Sequence, residues 1–331
     1  MGKTRQSNIE LCRIASIILV MLVHTTQQSL GADMSLGALL LEGFTIVGVN
    51  VFILITGYFS ATPKKTSLIN LAFICLFWMI VKVLCRYEFG EPITYYHLFF
   101  VTYSNWFIPS YIALLFLTPM LNLFCNTVSE RVLWGGVISL VCIEVWFDLI
   151  PPRPAVSLGS QLGYSVFSFM ILYLLARAIR LYGVPQWFKK YSVVIYTICS
   201  LVLGCSAFFL QKIGHGDANS IVYAYCNPIV ILSSVAFFMM FENKTFNSKF
   251  INHIAKSTLA ILFGHGAIFF LYTKQFKYPY DNYDGFQVVA YWALAIALVF
   301  VASIIMDQLR LLLWKSINNY LKTHIKNDNI F

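Results

Sequence analysis

The sequence predicts an all-α polytopic integral membrane protein with about ten transmembrane helices. The 331 residues are 59% hydrophobic and only 11% charged, whereas soluble domains carry about 25% charged residues. The apolar residues form long runs, which suit spanning helices better than the alternating segments of about ten residues that build a membrane β-barrel. These runs and their short connections fill nearly the whole chain. We therefore predict a single transmembrane domain over residues 1–331.

Turn residues separate the apolar runs and define the predicted boundaries. Pro63 with Lys64 and Lys65 follows the second run, and Gly183 with Pro185 follows the sixth. The predicted spans are 9–30, 37–60, 67–86, 105–124, 132–150, 160–181, 191–211, 220–241, 257–273 and 286–314. A short basic tail follows from about residue 315.

The formal net charge of +9 is explained by topology rather than by a nucleic-acid partner. When the N-terminus is placed in the cytoplasm, most Lys and Arg residues fall in the inner segments, Lys189 and Lys190 among them. The positive-inside rule then places both termini in the cytoplasm. We expect a multi-pass protein of a cell membrane, the plasma or inner membrane of a bacterium, with the lipid bilayer as its partner and no nucleic acid.

The cysteines and histidines show no metal or disulfide framework. The eight cysteines lie in or beside predicted spans without a Cys-x-x-Cys pair, and the six histidines lack a metal-ligand spacing. We predict no metal and interpret the cysteines as small apolar residues.

Two ionisable residues interrupt the first apolar run. Arg13 and His24 stand eleven positions apart, about three helical turns, so they share one helix face. Glu10 falls near the same stripe. An ionisable residue at membrane depth is costly and marks a functional site by default.

Other predicted spans carry polar residues as well. In the second span, Asn50 lies between Gly48 and Gly57. Such small residues allow close helix approach and an amide can bond across helices, although packing alone would also explain the glycines. In the ninth span, His265 stands between two glycines. The candidate donor- or acceptor-binding residues are Glu10, Glu42, Asn50, Tyr58, Asn105, Trp106, Tyr111, Asn227 and His265.

Taken together, these residues resemble the acyltransferase type 3 membrane family. Arg13 and His24 match its first-span pattern of Arg, ten residues and His. Residues Gly48 to Tyr58 resemble its Gly-Val-x-Φ-Phe-x-x-Ser-Gly-Phe/Tyr element (Φ apolar), with Thr56 in place of Ser. The family's later motifs have counterparts in residues 105–119, in the pair Asn227-Pro228 and in residues 257–265. The family's basic cluster at the third span is reduced here to Lys64-Lys65.

The resemblance implies an O-acetyltransferase that moves an acetyl or other short acyl group from acetyl-CoA or another acyl-CoA in the cytoplasm. The acceptor would be a hydroxyl of a cell-surface glycan, such as a polysaccharide, or of its lipid-linked precursor. His24 would act as general base, or would carry the acyl group covalently. Arg13 would bind donor phosphate or pantetheine, or would only pair with Glu10.

The remaining candidates have less specific roles. Glu42 and Asp33 could orient His24, and Tyr58, Asn105 and Tyr111 could line the acceptor cavity. His265 is either a second polar group of the site or a packing residue.

Two other functions remain open at this point. A secondary transporter or glycan exporter would also use intramembrane Arg, His and Asn, although it would usually show an internal repeat, and none is visible here. A sensor in which His24 detects pH or a ligand is a third interpretation. The acceptor sugar, the acyl length and the oligomeric state, with a homo-oligomer as one option, are not specified by the sequence.

Overall fold

The computed structural model describes residues 6–29, 34–94, 106–151, 154, 158–266, 285–325 and 328. Helices dominate these residues, since a chain inside a bilayer must satisfy its own backbone hydrogen bonds. The helices are α1 (Ser7–Ser29), α2 (Leu36–Thr45), α3 (Gly48–Tyr58), α4 (Lys65–Glu88), α5 (Phe107–Thr127), α6 (Glu130–Asp148), α7 (Val166–Tyr182), α8 (Gln186–Lys190), α9 (Ser192–Lys212), α10 (Asn219–Val222), α11 (Pro228–Glu242), α12 (Lys249–Ile254) and α13 (Phe286–His324). Residues 258–266 are also helical.

The predicted class, a helical membrane protein, is confirmed, but the count of about ten spans is not supported. Six segments of the described chain are long and apolar enough to cross a membrane. They are Ser7–His24, Leu36–Tyr58, Lys65–Glu88, Phe107–Thr127, Ser192–Lys212 and Phe286–His324.

The four other predicted spans are not among these six segments, for identifiable reasons. Helix α7 has 17 residues and α11 has 15, below the roughly 20 that a straight span needs. Helix α6 is long enough but carries Arg131, Glu144 and Asp148, and charged side chains are costly in lipid. The predicted ninth span, 257–273, is described only as far as residue 266.

The predicted second span is interrupted near its middle. Helix α2 ends at Thr45 and α3 begins at Gly48, so one apolar run of the sequence forms two consecutive helices. The Thr45 hydroxyl donates to the main-chain oxygen of Leu41, at 2.9 Å. Such a bond back into the preceding turn bends helices, and hydropathy alone does not reveal it.

The chain divides into two compact units, which we call unit 1 (Met1–Ala61 with Ser110–Ala255) and unit 2 (Thr62–Pro109 with Lys256–Phe331). No observation tests the prediction of a single domain over 1–331, which stays a prediction. In unit 1, α3 packs against α1 and α7, and α9 packs against α2 and α11.

Glycines allow close helix crossings in unit 1. A Cβ atom on Gly48 would stand 2.7 Å from the main-chain oxygen of Ser16, and one on Gly57 would stand 2.6 Å from that of Tyr173. Real Cβ atoms do not approach this closely, so only glycine fits at either crossing. The close approach that the sequence predicts for this element is therefore present.

In unit 2, α4 packs against α13. The rings of Phe73 and Trp314 stack with centroids 5.7 Å apart. Asp328 lies against the start of α4, where its carboxylate accepts hydrogen bonds from the Thr66 N–H (2.9 Å) and the Thr66 hydroxyl (2.8 Å). These bonds, together with the positive charges of Lys64 and Lys65, hold the pKa of Asp328 below its usual value.

Candidate active site

Helix α1 carries both residues of the first-span pattern. It is continuous from Ser7 to Ser29, so Arg13 and His24 differ by about 16 Å in height and about 20° in direction. The arrangement on one face, which the spacing predicts, is therefore present in the folded chain. His24 is partly buried, and the Arg13 side chain is 32% exposed.

Hydrogen bonds in unit 1 hold the N-terminal end of α1 in place. The Ser7 hydroxyl donates to the Asn252 side chain at 3.0 Å and accepts from the Ser248 N–H at 2.9 Å. The Asn8 amide donates to the main-chain oxygen of Phe241 at 3.2 Å. The height of Arg13 is thereby fixed relative to the C-terminal end of α11.

Glu10 and Arg13 form an ion pair within α1. One guanidinium nitrogen of Arg13 lies 3.2 Å from each carboxylate oxygen of Glu10. The Glu10 side chain is only 7% exposed, and Arg13 is the more open partner. Of the two roles predicted for Arg13, the structural pair is thus formed. The open face of the guanidinium leaves the donor-binding role available.

The interior of unit 1 holds a polar group around Tyr225. The Asn50 amide donates to the main-chain oxygen of Tyr225 at 2.9 Å. Glu42 is 4% exposed, and its carboxylate acts electrostatically on the phenols of Tyr164, Tyr223 and Tyr225. These interactions place Glu42 and Asn50 in one buried neighbourhood. Orientation of His24 by Glu42 stays a prediction, and Asp33 lies outside the described residues.

Tyr58 ends α3 within a charged network. Its hydroxyl donates to the Glu242 carboxylate at 2.9 Å and accepts from the Arg180 guanidinium at 3.0 Å. Lys189 lies 3.3 Å from the other oxygen of Glu242. The network joins the C-terminal ends of α3, α7 and α11, the same end at which Asn8 binds Phe241. A role of Tyr58 in lining an acceptor cavity stays a prediction.

Asn227 has a structural role that the sequence analysis did not assign to it. It is the N-cap of α11: its side-chain oxygen accepts from the Ile229 N–H at 2.9 Å, and its amide donates to the main-chain oxygen of Val222 at 3.0 Å. The side chain therefore ties the start of α11 to the end of α10.

The other candidates are divided between the two units. Tyr111 is partly buried on α5, in unit 1. Unit 2 contains Trp106, just before α5, and His265, which is 6% exposed with Nδ1 lying 3.1 Å from the main-chain oxygen of Ile261. Asn105 lies outside the described residues.

A family model whose description is an acyltransferase domain matches residues 6–307. The chain belongs to the acyltransferase type 3 family. Neither a curated protein nor a solved structure shows significant similarity to the chain. The family resemblance inferred from the motifs is confirmed, and membership in this family implies a membrane acyltransferase.

Knowledge of the family gives the geometry of α1 a chemical meaning. Residues 6–307 include both Arg13 and His24, so the matched region contains the first-span pair. An acyltransferase needs a base for the attacking hydroxyl and a site for an activated acyl donor. An imidazole and a guanidinium on one helix face can supply these two functions at two different depths.

The structure also shows a polar group that the sequence analysis did not single out. Glu144 on α6 accepts a short hydrogen bond from Ser168, and Asp148 accepts from the Ser160 hydroxyl (2.8 Å) and the Leu162 N–H (2.6 Å). One ligand atom each of Glu144, Asp148 and Cys226 lie within 4.8 Å of one another, a spacing that could hold a metal ion. The prediction of no metal stays untested.

The signals for the missed residues were present in the sequence. Glu144 and Asp148 stand four positions apart within the predicted fifth span, hence on one helix face. Asp307 and Arg310 on α13 form a buried ion pair and stand three positions apart within the predicted tenth span. A search for paired charges inside apolar runs would have found both.

Proposed function

We propose that this acyltransferase moves an acetyl or other short acyl group from cytoplasmic acyl-CoA to a hydroxyl of a cell-surface glycan or its lipid-linked precursor. One observation carries the proposal: in a chain of this family, Arg13 and His24 occupy one face of a single continuous helix. Their separation is about 16 Å along the helix axis. This distance suits the binding of two distant parts of a long acyl donor better than the action of both side chains on one atom.

In the proposed reaction, His24 is the general base. The unprotonated imidazole nitrogen takes the proton of the acceptor hydroxyl as its oxygen attacks the thioester carbonyl. A C–O bond forms, the C–S bond breaks, and the proton passes to the departing thiolate, so that the products are an ester and free CoA. In a variant of this route, the imidazole itself attacks the thioester: an N–C bond to His24 forms, the C–S bond breaks, and the CoA thiolate leaves with the imidazole proton. The acceptor oxygen then attacks the acyl-imidazole, the N–C bond breaks, and the hydroxyl proton returns to the imidazole.

Arg13 is assigned to the donor. A guanidinium recognises phosphate through paired, charge-assisted hydrogen bonds, and Arg13 keeps part of its surface open beside Glu10. In this proposal, both termini lie in the cytoplasm of a bacterial cell, and the chain crosses the membrane about ten times. The charge distribution supports this orientation, because Arg180 and Lys189 lie at the same end of unit 1 as the start of α1.

The decisive experiment combines the purified protein in vesicles, acetyl-CoA with a labelled acetyl group, and candidate glycans. The wild type should release CoA and add one acetyl group per modified hydroxyl, seen by mass. His24→Ala should lower the rate by about 10²- to 10⁴-fold, the usual contribution of a general base. His253→Ala serves as the matched control, because His253 is exposed on α12.

The outcomes separate the function classes. Full activity of a properly inserted His24→Ala protein would remove the base assignment. Movement of a glycan across the vesicle membrane without CoA release would favour the exporter instead, and CoA release that requires no glycan would contradict the proposed acceptor.

A further inference from the structure

Arg177 on α7 is a buried cation without a carboxylate partner. It is 5% exposed, and no Asp or Glu of the described chain lies within ion-pair distance of its guanidinium. Its polar contacts are neutral: Nη1 donates to the Ser60 hydroxyl, and Nη2 donates to the side-chain oxygen of Asn126 at 2.9 Å. Arginine is rarely buried to this degree unless an opposite charge accompanies it, so Arg177 lacks its usual counter-charge.

One edge of this guanidinium is incomplete. Nε of Arg177 is buried and has no hydrogen-bond partner among the residues that the structure describes. Nε and Nη2 project from the same edge of a guanidinium, which can donate side by side to two oxygens of one phosphate or carboxylate. At Arg177 this edge holds one neutral oxygen, that of Asn126. Protein interiors seldom leave such a donor unpaired unless a bound group or water completes it.

The groups that contact Arg177 reach the surface of unit 1, to which they all belong. Asn126 is exposed in the last turn of α5, and Ser60 is partly exposed just after the end of α3. The oxygen at Nη2 thus belongs to an exposed amide, which can turn into solvent without movement of a helix. A ligand oxygen can then take its place on Nη2.

A second cation lies one helical turn further along α7. Arg180 is exposed, and its guanidinium donates to the Tyr58 hydroxyl at 3.0 Å. The C-terminal ends of α5 and α7 favour positive charge at this end of unit 1, but they provide no acceptor for Nε of Arg177. Two arginines one turn apart, only one of them buried, are suited to a ligand that carries several negatively charged oxygens.

Exposed aromatic side chains indicate the membrane depth of this end of unit 1. Tyr182 at the end of α7 is 39% exposed, Trp187 on α8 is 60% exposed, and Tyr191 is 48% exposed. Tyr and Trp are enriched at the level of the lipid headgroups. In the proposed orientation this end faces the cytoplasm, where phosphate is the common anion of lipid headgroups and of soluble nucleotides.

We propose that the open edge of Arg177, with Arg180 beside it, binds a phosphate group at the cytoplasmic end of unit 1. Two phosphate oxygens accept hydrogen bonds from Nε and Nη2, and Asn126 gives up its place on Nη2. The phosphate belongs either to an anionic phospholipid or to the nucleotide part of the acyl donor, and only the second source rests on the proposed function. CoA carries a diphosphate and a separate monophosphate, so this source is compatible with a donor role of Arg13.

The test measures binding and needs no acyl transfer, so its result is independent of the proposed function. The full chain is purified in neutral detergent, and affinities are obtained from the rise of the thermal unfolding midpoint with ligand concentration. Two pairs of probes differ in the presence of phosphate: CoA and pantetheine, and phosphatidylglycerol and diacylglycerol. The wild type should bind the phosphate-containing member of at least one pair and should not respond to the other member.

Three variants locate the binding. Arg177→Gln should weaken the affinity at least tenfold, the value of one charge-assisted hydrogen bond. Arg131→Gln is the matched control, because Arg131 is an exposed arginine on α6 in unit 1, and its affinity should equal that of the wild type. Asn126→Ala removes the oxygen that competes for Nη2 and should tighten binding several-fold. It keeps the test decisive if Arg177→Gln does not fold.

The outcomes are distinct. A response to CoA alone would identify the donor as the source of the phosphate, and a response to phosphatidylglycerol alone would identify the lipid. Equal responses to both members of each pair would overturn the inference. Affinities that stay unaltered in Arg177→Gln or in Asn126→Ala would also overturn it and would leave Arg177 with a purely structural role at the ends of α3 and α5.

Discussion

The side-chain amide of Asn50 donates a hydrogen bond of 2.9 Å to the main-chain oxygen of Tyr225, 175 positions away. Asn50 is 0% exposed and lies in the first turn of α3, just after the interruption of the second span. Tyr225 lies in the turn that precedes α11. The bond therefore joins the broken span to the non-helical segment between α10 and α11, which contains the buried residues Tyr223 and Tyr225.

Removal of the Asn50 amide should destabilise unit 1. Asn50→Ala leaves the main-chain oxygen of Tyr225 buried without its donor, at a cost of about 1–3 kcal/mol. We expect a lower thermal unfolding midpoint in detergent. Thr56→Val is the control on the same helix, because among the described residues the Thr56 hydroxyl bonds within α3, to the main-chain oxygen of Phe52 at 2.9 Å. Equal midpoints for the two variants would show that the Asn50 bond contributes nothing to stability.

The sequence predicted the parts of the site that follow from local pattern. Arg13 and His24 stand out because a charged or titratable side chain in an apolar run is costly wherever the run folds. The helix that carries them can be predicted without tertiary information. Its predicted bounds, 9–30, agree with Ser7–Ser29 to within two residues.

Features that depend on distant contacts were not predictable in the same way. The partner of Asn50 lies 175 residues away, and no periodicity in either segment points to the other. The interruption after Thr45 falls inside one apolar run, where hydropathy shows no boundary. The short helices α7 and α11 fall within apolar runs that continue beyond them, so hydropathy overestimates their length.

The glycine crossings give a second prediction, with an internal control. Gly57→Ala should destabilise the fold by about 1–3 kcal/mol, because its Cβ atom would stand 2.6 Å from the Tyr173 main-chain oxygen. Gly136→Ala should instead be neutral or stabilising by up to about 1 kcal/mol, since nothing lies within 4 Å of that position on α6. Thermal unfolding in the same detergent measures both. A Gly57→Ala protein as stable as Gly136→Ala would contradict the tight crossing of α3 and α7.

The contact between Asp328 and α4 should depend on pH. Hydrogen bonds from Thr66 lower the pKa of Asp328, so the contact stabilises the fold fully above the ordinary value, about 3.9, and is lost as the pH falls through the lowered value. The carboxyl NMR resonance of isotope-labelled aspartate, assigned through Asp328→Asn, should titrate below that value. Thr66→Ala removes the hydroxyl donor and should move the titration upward. An inflection at or above the ordinary value in the wild type would show that Asp328 does not cap α4 in solution.

The Glu10–Arg13 pair separates the two roles left open for Arg13. An intrahelical pair on a helix surface stabilises by about 0.2–0.5 kcal/mol, and Arg13 is only partly exposed. If the pair is structural alone, its loss should therefore affect unfolding and leave donor binding nearly unchanged. If Arg13 binds donor phosphate, Arg13→Ala should raise the KM for acetyl-CoA about tenfold or more. S-acetyl-pantetheine, which lacks the nucleotide phosphates, should then be used equally well by variant and wild type.

Glu10→Gln should raise the KM for acetyl-CoA less than Arg13→Ala does, because the guanidinium remains. Arg131→Ala, on the polar first turn of α6, controls for loss of a positive charge elsewhere. Equal effects of Glu10→Gln and Arg13→Ala on both donors would show that the pair acts as a structural unit and that the phosphate is bound elsewhere.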